Sequence, residues 1–157
     1  MVDGKEESIN SVQFLKTDPK ARYQGYSFYF REGFCWIDVN STYLKARIKA
    51  NGVFDVLSMS LFTMTKLPDW YYVSIINSEF VSLYVDNFIN NTSHFQINDA
   101  RQLPIIIPNV NDLEKFQEIS ESSIAIKKAN SSSAILDSIT EEKLEKKQVE
   151  LDQAVLK

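Results

Sequence analysis

The chain has 157 residues, of which 44% are hydrophobic and 12% aromatic, enough apolar material for the core of one domain with an appended segment. This composition excludes wholesale disorder, and no apolar run approaches the roughly 20 residues of a transmembrane helix, so we expect no membrane partner. The single cysteine, Cys35, excludes an internal disulfide, and residues 1–7 lack the basic and apolar regions of a signal peptide. These features predict a cytoplasmic protein.

The charge is distributed unevenly along the chain. The net charge of −4 argues against nucleic-acid binding by the whole surface. Residues 16–49, however, contain seven basic and three acidic residues, a local charge of +4, whereas the segment after Asn111 contains seven basic and ten acidic residues, a charge of −3. The distribution is compatible with one DNA-facing surface and equally with a random fluctuation on a solvated face.

The residue pattern in the first half of the chain is typical of β-strands. Aromatic density across residues 26–39, interrupted by Gly33, predicts a β-hairpin. Residues 43–49 predict a further strand, closed by Asn51-Gly52, a pair typical of type I′ turns. Residues 53–64 have the same β-strand pattern.

From Pro68 onward the pattern becomes helical. A helix is predicted from about Asp69 to Ile76, followed by a stop at Asn77 and a new N-cap at Ser78. The next helix is predicted over residues 79–89. Its apolar face, read from helical spacing, comprises Phe80, Leu83, Tyr84 and Phe88.

Two short strands and two longer helices are predicted beyond this point. Residues 95–98 alternate as a strand does, and residues 103–108 form a short buried strand between prolines. Capping boxes over residues 111–114 and 138–141 open two helices. The last helix carries an apolar stripe that needs a partner, made by Leu144, Leu151 and Val155.

Together these patterns predict an α+β fold. We expect a small mixed β-sheet domain with packed helices over residues 1–110, followed by a C-terminal helical segment over residues 111–157.

No catalytic apparatus is visible. The four glycines form no phosphate-binding loop, and a lone Cys35 and a lone His94 cannot make a zinc site. Cys35 is interpreted as a core residue, and His94 as part of a polar turn. Glu141 and Glu145 lie on a charged helix without the upstream carboxylates of a nuclease. We therefore predict no catalytic residue, no metal and no cofactor in this chain.

Several segments resemble one protein family in their order along the chain. Residues 70–78, 91–99 and 103–105 resemble the closing segment of target-recognition domains in type IIG restriction–modification enzymes and related phage-defence adenine-N6 methyltransferases. The same region is similar to recognition domains of type I restriction specificity subunits. Residues 29–36 and 52–55 resemble the opening strands of these domains, and residues 150–157 resemble their closing helix, which usually continues further.

The resemblance implies a non-catalytic module that lies along double-stranded DNA and reads bases in the major groove. The methyltransferase domain, with its S-adenosylmethionine (SAM), would belong to the same polypeptide, N-terminal to Met1, or to a partner subunit. On this interpretation the chain is a fragment.

Candidate DNA contacts fall into two groups by chemistry, because phosphates need cations and base edges need amide, hydroxyl or guanidinium groups. The basic strands contribute Arg22, Arg31, Lys45, Arg47 and Lys49. The polar turn and the residues after it contribute Asn90, Asn91, Thr92, Ser93, Gln96 and Arg101. Trp36 and Trp70 are interpreted as core residues.

Two alternatives remain open at this point. The chain could be a fragment of a type I specificity subunit, which predicts a second, related domain in the full gene. It could also be a protein-interaction module that docks through its C-terminal amphipathic helix.

Overall fold

A three-stranded antiparallel sheet forms the first half of the fold. The computed structural model describes residue 13 and residues 16–20, 25–39, 43–54, 58–131 and 137–157. The described strands are β1 (Gly33–Ile37), β2 (Ala46–Lys49) and β3 (Ser58–Leu61), with β1 in the centre. Every described pairing is antiparallel, so the α+β class is confirmed, whereas the described sheet is not the mixed one that we expected.

Helices make up most of the second half. Their bounds are α1 (Asp69–Ile76), α2 (Glu79–Tyr84), α3 (Ile97–Ala100), α4 (Val110–Ala129) and α5 (Ser138–Val155). α2 continues into a π-helical turn over Val85–Ile89. α1 packs against β1 and β2, α4 packs against α1 and α5, and α5 also contacts α2.

The core lies between the sheet and α1. Trp36 is 2% exposed and its indole Nε1 donates to the carbonyl of Phe95 at 2.9 Å, so the interpretation of Trp36 as a core residue is confirmed. Cys35, also interpreted as core, is 3% exposed. The C-terminal helices add Phe116 and Leu151 to the same core, so the helical segment folds back on the sheet domain.

The predicted hairpin over residues 26–39 is wrong in its first arm. Tyr26–Phe28 forms a 3-10 turn, and Phe30 has a φ of 63°, outside strand geometry. Both edges of β1 are taken by β2 and β3, which leaves no edge for another strand. The aromatic side chains here pack instead of pairing, as Phe28 does against the ring of Phe62 at 5.1 Å.

The Asn51-Gly52 pair does not form a type I′ turn. Asn51 has a φ of 50°, but Gly52 is not among the described residues with positive φ, and type I′ geometry needs both. The chain leaves β2 for β3, which lies at the opposite edge of the sheet, so a tight hairpin has no place there. Residues 55–57 lie outside the described residues.

The N-terminal caps of α1, α2, α4 and α5 were predicted to within two residues. Pro68 precedes α1, and the Ser78 hydroxyl accepts from the Val81 N–H at 3.2 Å, both as expected. α4 is capped by Asn109 and α5 by Asp137, rather than by Asn111 and Ser138. In each case an earlier side chain with the same capping chemistry holds the first turn.

α2 presents a different face to the core from the one predicted. Its buried residues are Val81 and Ser82, whereas Leu83 is 53% and Phe88 75% exposed. The Ser82 hydroxyl accepts from the Leu44 N–H at 3.1 Å, which turns this side of α2 toward the strand β2 region. Phe80 and Tyr84 pack on one another at the surface, with ring centres 6.2 Å apart.

The two predicted short strands are absent from the described structure. Ile97 begins α3, because the Asp99 carboxylate accepts from the Gln96 N–H at 2.8 Å and starts a helical turn. Residues 103–108 form no strand, and Ile107 is 83% exposed. Prolines at both ends remove backbone donors, and the segment is held by the Tyr71 hydroxyl, which donates to the carbonyl of Ile106 at 2.8 Å.

Candidate nucleic-acid interface

Asn77 fixes the start of strand β2. Its side-chain Oδ1 accepts from the Ala46 N–H at 2.7 Å, and its Nδ2 donates to the Ala46 carbonyl at 3.0 Å. The amide thus pairs with Ala46 as a neighbouring strand would. Together with the bond from Leu44 to Ser82, it anchors residues 44–46 at the junction between α1 and α2.

Two predicted contact residues, Lys45 and Arg47, lie next to this anchor and are exposed. Arg47 is the cross-strand partner of Cys35, and its Nε lies 3.4 Å from the Cys35 Sγ. Its side chain therefore lies on the sheet face opposite α1. Lys45 borders a cleft whose other walls include Asn77 and Gln148.

Arg31 and Lys49 both lie over the aromatic ring of Phe62, at the far end of β2. The Arg31 guanidinium carbon lies 5.0 Å from the centre of the Phe28 ring and 5.8 Å from that of Phe62. The Lys49 Nζ lies 5.1 Å from the centres of both Phe54 and Phe62. Arg31 is exposed, but Lys49 is 8% exposed and faces rings rather than solvent, so we leave Lys49 out of the candidate surface.

Asn90 organises the polar turn from within. Its Oδ1 accepts from the Thr92 N–H at 2.9 Å and from the Thr92 hydroxyl at 2.7 Å. Its Nδ2 donates to the His94 carbonyl and to the Asp99 carboxylate. With its oxygen and its amide nitrogen both engaged, Asn90 is a scaffold of the turn.

A pair between His94 and Asp38 ties the turn to the end of β1. The His94 Nδ1 lies 2.9 Å from the Asp38 Oδ2, and the Phe95 N–H donates to the Asp38 carbonyl at 2.8 Å. A β-bridge between Val39 and His94 adds to this link. The expectation that His94 belongs to the polar turn is confirmed.

The exposed part of the turn lies beside the start of the β2 segment. Asn91, Thr92 and Ser93 form one wall of a cleft of about 220 Å³, and Tyr43 and Leu44 contribute to another. Asn91 and Ser93 make no side-chain hydrogen bond to another described residue. The stretch 43–49 therefore connects the polar turn at one end with Arg31 at the other.

Carboxylates interrupt this surface. Asp86 borders the same cleft as the polar turn, and Glu79 and Asp152 border the cleft next to Lys45. Asp152 is engaged, because its Oδ1 accepts from the Glu79 N–H at 2.7 Å. The cationic groups are thus Arg31, Lys45 and Arg47 rather than a continuous basic field.

The remaining predicted contacts are less closely associated with β2. Gln96 and Arg101 are exposed around α3, where the Arg101 Nη1 donates to Asn98 at 3.1 Å. No hydrogen bond or ion pair between described residues links either of them to β2. Arg22 lies outside the described residues.

The described part of the chain holds no cluster of three or more histidine, cysteine, aspartate or glutamate side chains that could bind a metal ion. Within the same residues, no helix is both long and apolar enough to cross a lipid bilayer.

Sequence reasoning missed the two side chains that position this surface, Asn77 and Asp38. Their partners lie 31 and 56 residues away in the chain, so no local pattern could have identified the contacts. The only signal was the helix stop at Asn77, which indicated a boundary and not a partner.

Comparison with known proteins adds no further information about this surface. No protein-family model matches the chain, and no curated protein matches its sequence significantly.

Proposed function

We propose that this chain is a DNA target-recognition module of a restriction–modification adenine-N6 methyltransferase. The methyltransferase domain, which would bind SAM, is supplied by the same polypeptide or by a partner subunit. The observation that carries this proposal is that residues 43–49, which include Lys45 and Arg47, run from the cleft that Tyr43 and Leu44 share with the exposed polar turn to the cleft that Lys45 borders.

The chemistry of this surface suits a division of roles. The phosphates of DNA would be neutralised by Lys45, Arg47 and Arg31. Such phosphate contacts position a protein on the duplex without reading its sequence. Asn91 and Ser93 would supply donors and acceptors for base edges. An extended stretch over residues 43–49 spans about 20 Å, the length of roughly six base-pair steps.

The acidic groups on the same surface predict modest affinity for the isolated chain. The net charge is −4, and Asp86 and Glu79 lie beside the proposed contacts. Binding to DNA depends strongly on the number of phosphates neutralised. We therefore expect the partner methyltransferase domain to supply much of the total affinity.

The two alternatives differ in what supports them. A type I specificity-subunit fragment would use the same surface, and a second related domain in the full gene would favour it. Docking through the last helix is less well supported, because Leu151 is 7% exposed and Val155 packs against the core. Leu151 and Val155 of the predicted stripe already have a partner within the chain, whereas Leu144 lines a groove beside α5.

The test is a fluorescence anisotropy titration of labelled duplex DNA at about 50 and 200 mM salt. We expect the double variant Lys45→Gln/Arg47→Gln to bind at least tenfold more weakly than wild type, with a salt slope reduced by about 2, because two phosphate contacts are lost. The control Lys66→Gln/Lys115→Gln removes the same charge elsewhere on the chain and should bind nearly as wild type.

The methyltransferase link has a second readout with the same variants. The intact gene is expressed in a methylation-free host, and methyladenine is mapped by single-molecule sequencing. Alanine at Asn91 and Ser93 should change the methylated motif, whereas the Lys45/Arg47 variant should reduce methylation at an unchanged motif. Salt-independent binding, or equal losses in the control variant, would contradict the proposal.

A further inference from the structure

Strand β2 has an outer edge whose backbone groups are only partly paired by the described residues. The Ala46 N–H donates to Asn77, so Ala46 and its partner Trp36 do not exchange backbone hydrogen bonds. Such pairs alternate with hydrogen-bonded pairs along an antiparallel ladder. Ile48, opposite Phe34, therefore also directs its N–H and its carbonyl away from β1, and no described residue bonds to either group.

A groove of about 620 Å³ runs beside this edge, between β2 and the helices α1, α4 and α5. Its apolar lining includes Ile48, Val73, Ile119 and Leu144, while small serines of α4 keep it open. Ile48 is 45% exposed, so its side chain is available at the groove surface. The volume is in the range of binding sites for small organic groups and short peptide segments.

The charges around the groove have one sign. Arg47, Lys128 and Lys147 line it, and no carboxylate is among its described lining residues. Lys147 is paired with Glu150 at 2.6 Å, whereas neither Arg47 nor Lys128 forms an ion pair with a described residue. An occupant with acidic groups at its ends would match this arrangement.

We propose that this groove binds an extended, acidic peptide segment that adds a strand to the edge of β2. The segment's backbone pairs with the N–H and carbonyl of Ile48, its apolar side chains enter the groove, and an acidic flank contacts Lys128. A strand edge whose outward N–H and carbonyl are not bonded by any described residue, next to an apolar groove, is the arrangement that strand addition uses. The inference does not depend on the proposed DNA function.

The features of the groove favour a peptide over DNA as its occupant. A DNA duplex would contact the cations at the edge of the groove. It would leave the outward N–H and carbonyl of Ile48 and the apolar lining without a matching partner. A strand uses all three features at once, because alternate side chains point to one side while the backbone pairs along the edge.

The test begins with an array of nine-residue peptides, each with three central β-branched residues and with acidic, neutral or basic flanks. The full chain is incubated with the array, and the tightest binders are resynthesised with a fluorescent label for titration. We expect the acidic-flank peptides to be enriched. N-methylation of one central peptide residue at a time should abolish binding at the residue opposite Ile48, whose N–H pairs with the Ile48 carbonyl, and not at its immediate neighbours, whose N–H groups face away from β2.

Two protein variants with matched controls localise the binding. Ile48→Pro removes the outward N–H without removing a bond to β1, and it should weaken binding at least tenfold, while Ile48→Val should not. Lys128→Glu reverses a charge on the groove and should weaken binding at least tenfold, while Lys127→Glu, an exposed neighbour that does not line the groove, should not.

Any of three results would overturn the proposal. They are equal enrichment of basic and acidic flanks, binding that is indifferent to backbone N-methylation, and equal effects of Lys128→Glu and Lys127→Glu. Loss of duplex DNA binding in Lys128→Glu, without any peptide enrichment, would instead assign the groove to nucleic acid. The DNA titration changes Lys45 and Arg47, whereas the peptide test changes Ile48 and Lys128, so the proposed function and this inference can fail separately.

Discussion

At the residue scale, single polar side chains join parts of the chain that are distant in sequence. Asn77 ends helix α1 and pairs with both backbone groups of Ala46, and Ser78 caps the next helix while fully buried. A buried edge of backbone would otherwise lack partners, at a cost of about 1–3 kcal/mol for each group. The Asn-Ser pair therefore has a structural role whatever the chain binds.

Asn77→Ala should lower the free energy of unfolding by about 2 kcal/mol, because two hydrogen bonds to Ala46 are lost at a partly buried site. Urea denaturation followed by circular dichroism measures this. Asn87→Ala is the matched control, since Asn87 is exposed and its side chain makes one hydrogen bond, to Leu83. Equal destabilisation by the two variants would contradict the role given to Asn77.

Tyr71 is the residue whose protonation is most clearly linked to stability. Burial raises its pKa above the ordinary tyrosine value, with smaller contributions from Asp112 and Tyr72. The folded state therefore holds the phenol proton more tightly than the unfolded state. The resulting stabilisation is present below the unfolded pKa of about 10 and is lost as the pH rises through the folded pKa.

Tyr71→Phe should cost about 1 kcal/mol at pH 7, because the hydrogen bond to the Ile106 carbonyl is lost. The difference from wild type should shrink as the pH rises above about 10, since only wild type has this phenol to ionise. Urea denaturation across this pH range measures the difference. The control is Tyr84→Phe, whose hydroxyl makes no hydrogen bond to a described residue, and it should change stability at pH 7 by less than Tyr71→Phe does.

At the element scale, helix α2 shows how tertiary contacts select a helix face. The larger apolar side chains of α2, Phe80 and Leu83, are exposed, whereas the smaller Val81 is buried at 1% exposure. Two long-range contacts orient the helix: Leu44 with Ser82, and Asp152 with the Glu79 N–H. Apolar spacing alone could not distinguish between the two faces.

The orientation of α2 can be checked by truncating one residue on each face. Val81→Ala should destabilise the fold by about 2 kcal/mol, because it leaves a cavity in the core. Leu83→Ala removes more atoms but should cost less than about 0.5 kcal/mol, since Leu83 is 53% exposed. Thermal and urea denaturation give both values. A larger destabilisation by Leu83→Ala than by Val81→Ala would show that the helix face predicted from apolar spacing is the buried one.

At the scale of the whole molecule, the sheet domain and the C-terminal helices share one core. The Tyr71 ring meets the Phe116 ring edge-on, with centres 5.3 Å apart, and Leu151 of α5 belongs to the same cluster. Residues 111–157 are therefore part of the fold that supports the candidate surface.

A fragment of residues 1–110 should lack cooperative unfolding, because it exposes the core surfaces that α4 and α5 cover. Circular dichroism during heating measures the transition. Removal of only Leu156 and Lys157, which are exposed, should leave the transition of the full chain nearly unchanged. A sharp transition in the fragment would show that residues 1–110 fold independently.

Local chemistry was sufficient to predict several features of this protein. The α+β class, the end of α1, the Ser78 cap and the core positions of Cys35 and Trp36 each depend on a residue and its near neighbours. Capping and hydrophobic periodicity depend on residues that are close in sequence, so both can be recognised from the sequence alone.

The remaining features depend on contacts between distant residues. Aromatic residues 26–30 were predicted to form a strand, but β1 has no free edge for them, and Ile97 was predicted in a strand but begins a helix. The position of the stretch that includes Lys45 and Arg47, next to the polar turn at Tyr43 and Leu44, depends on Asn77 and on the pair between Asp38 and His94. Strand partners and helix faces are chosen by packing and by the need to satisfy buried polar groups, and these become defined only when the whole chain is folded.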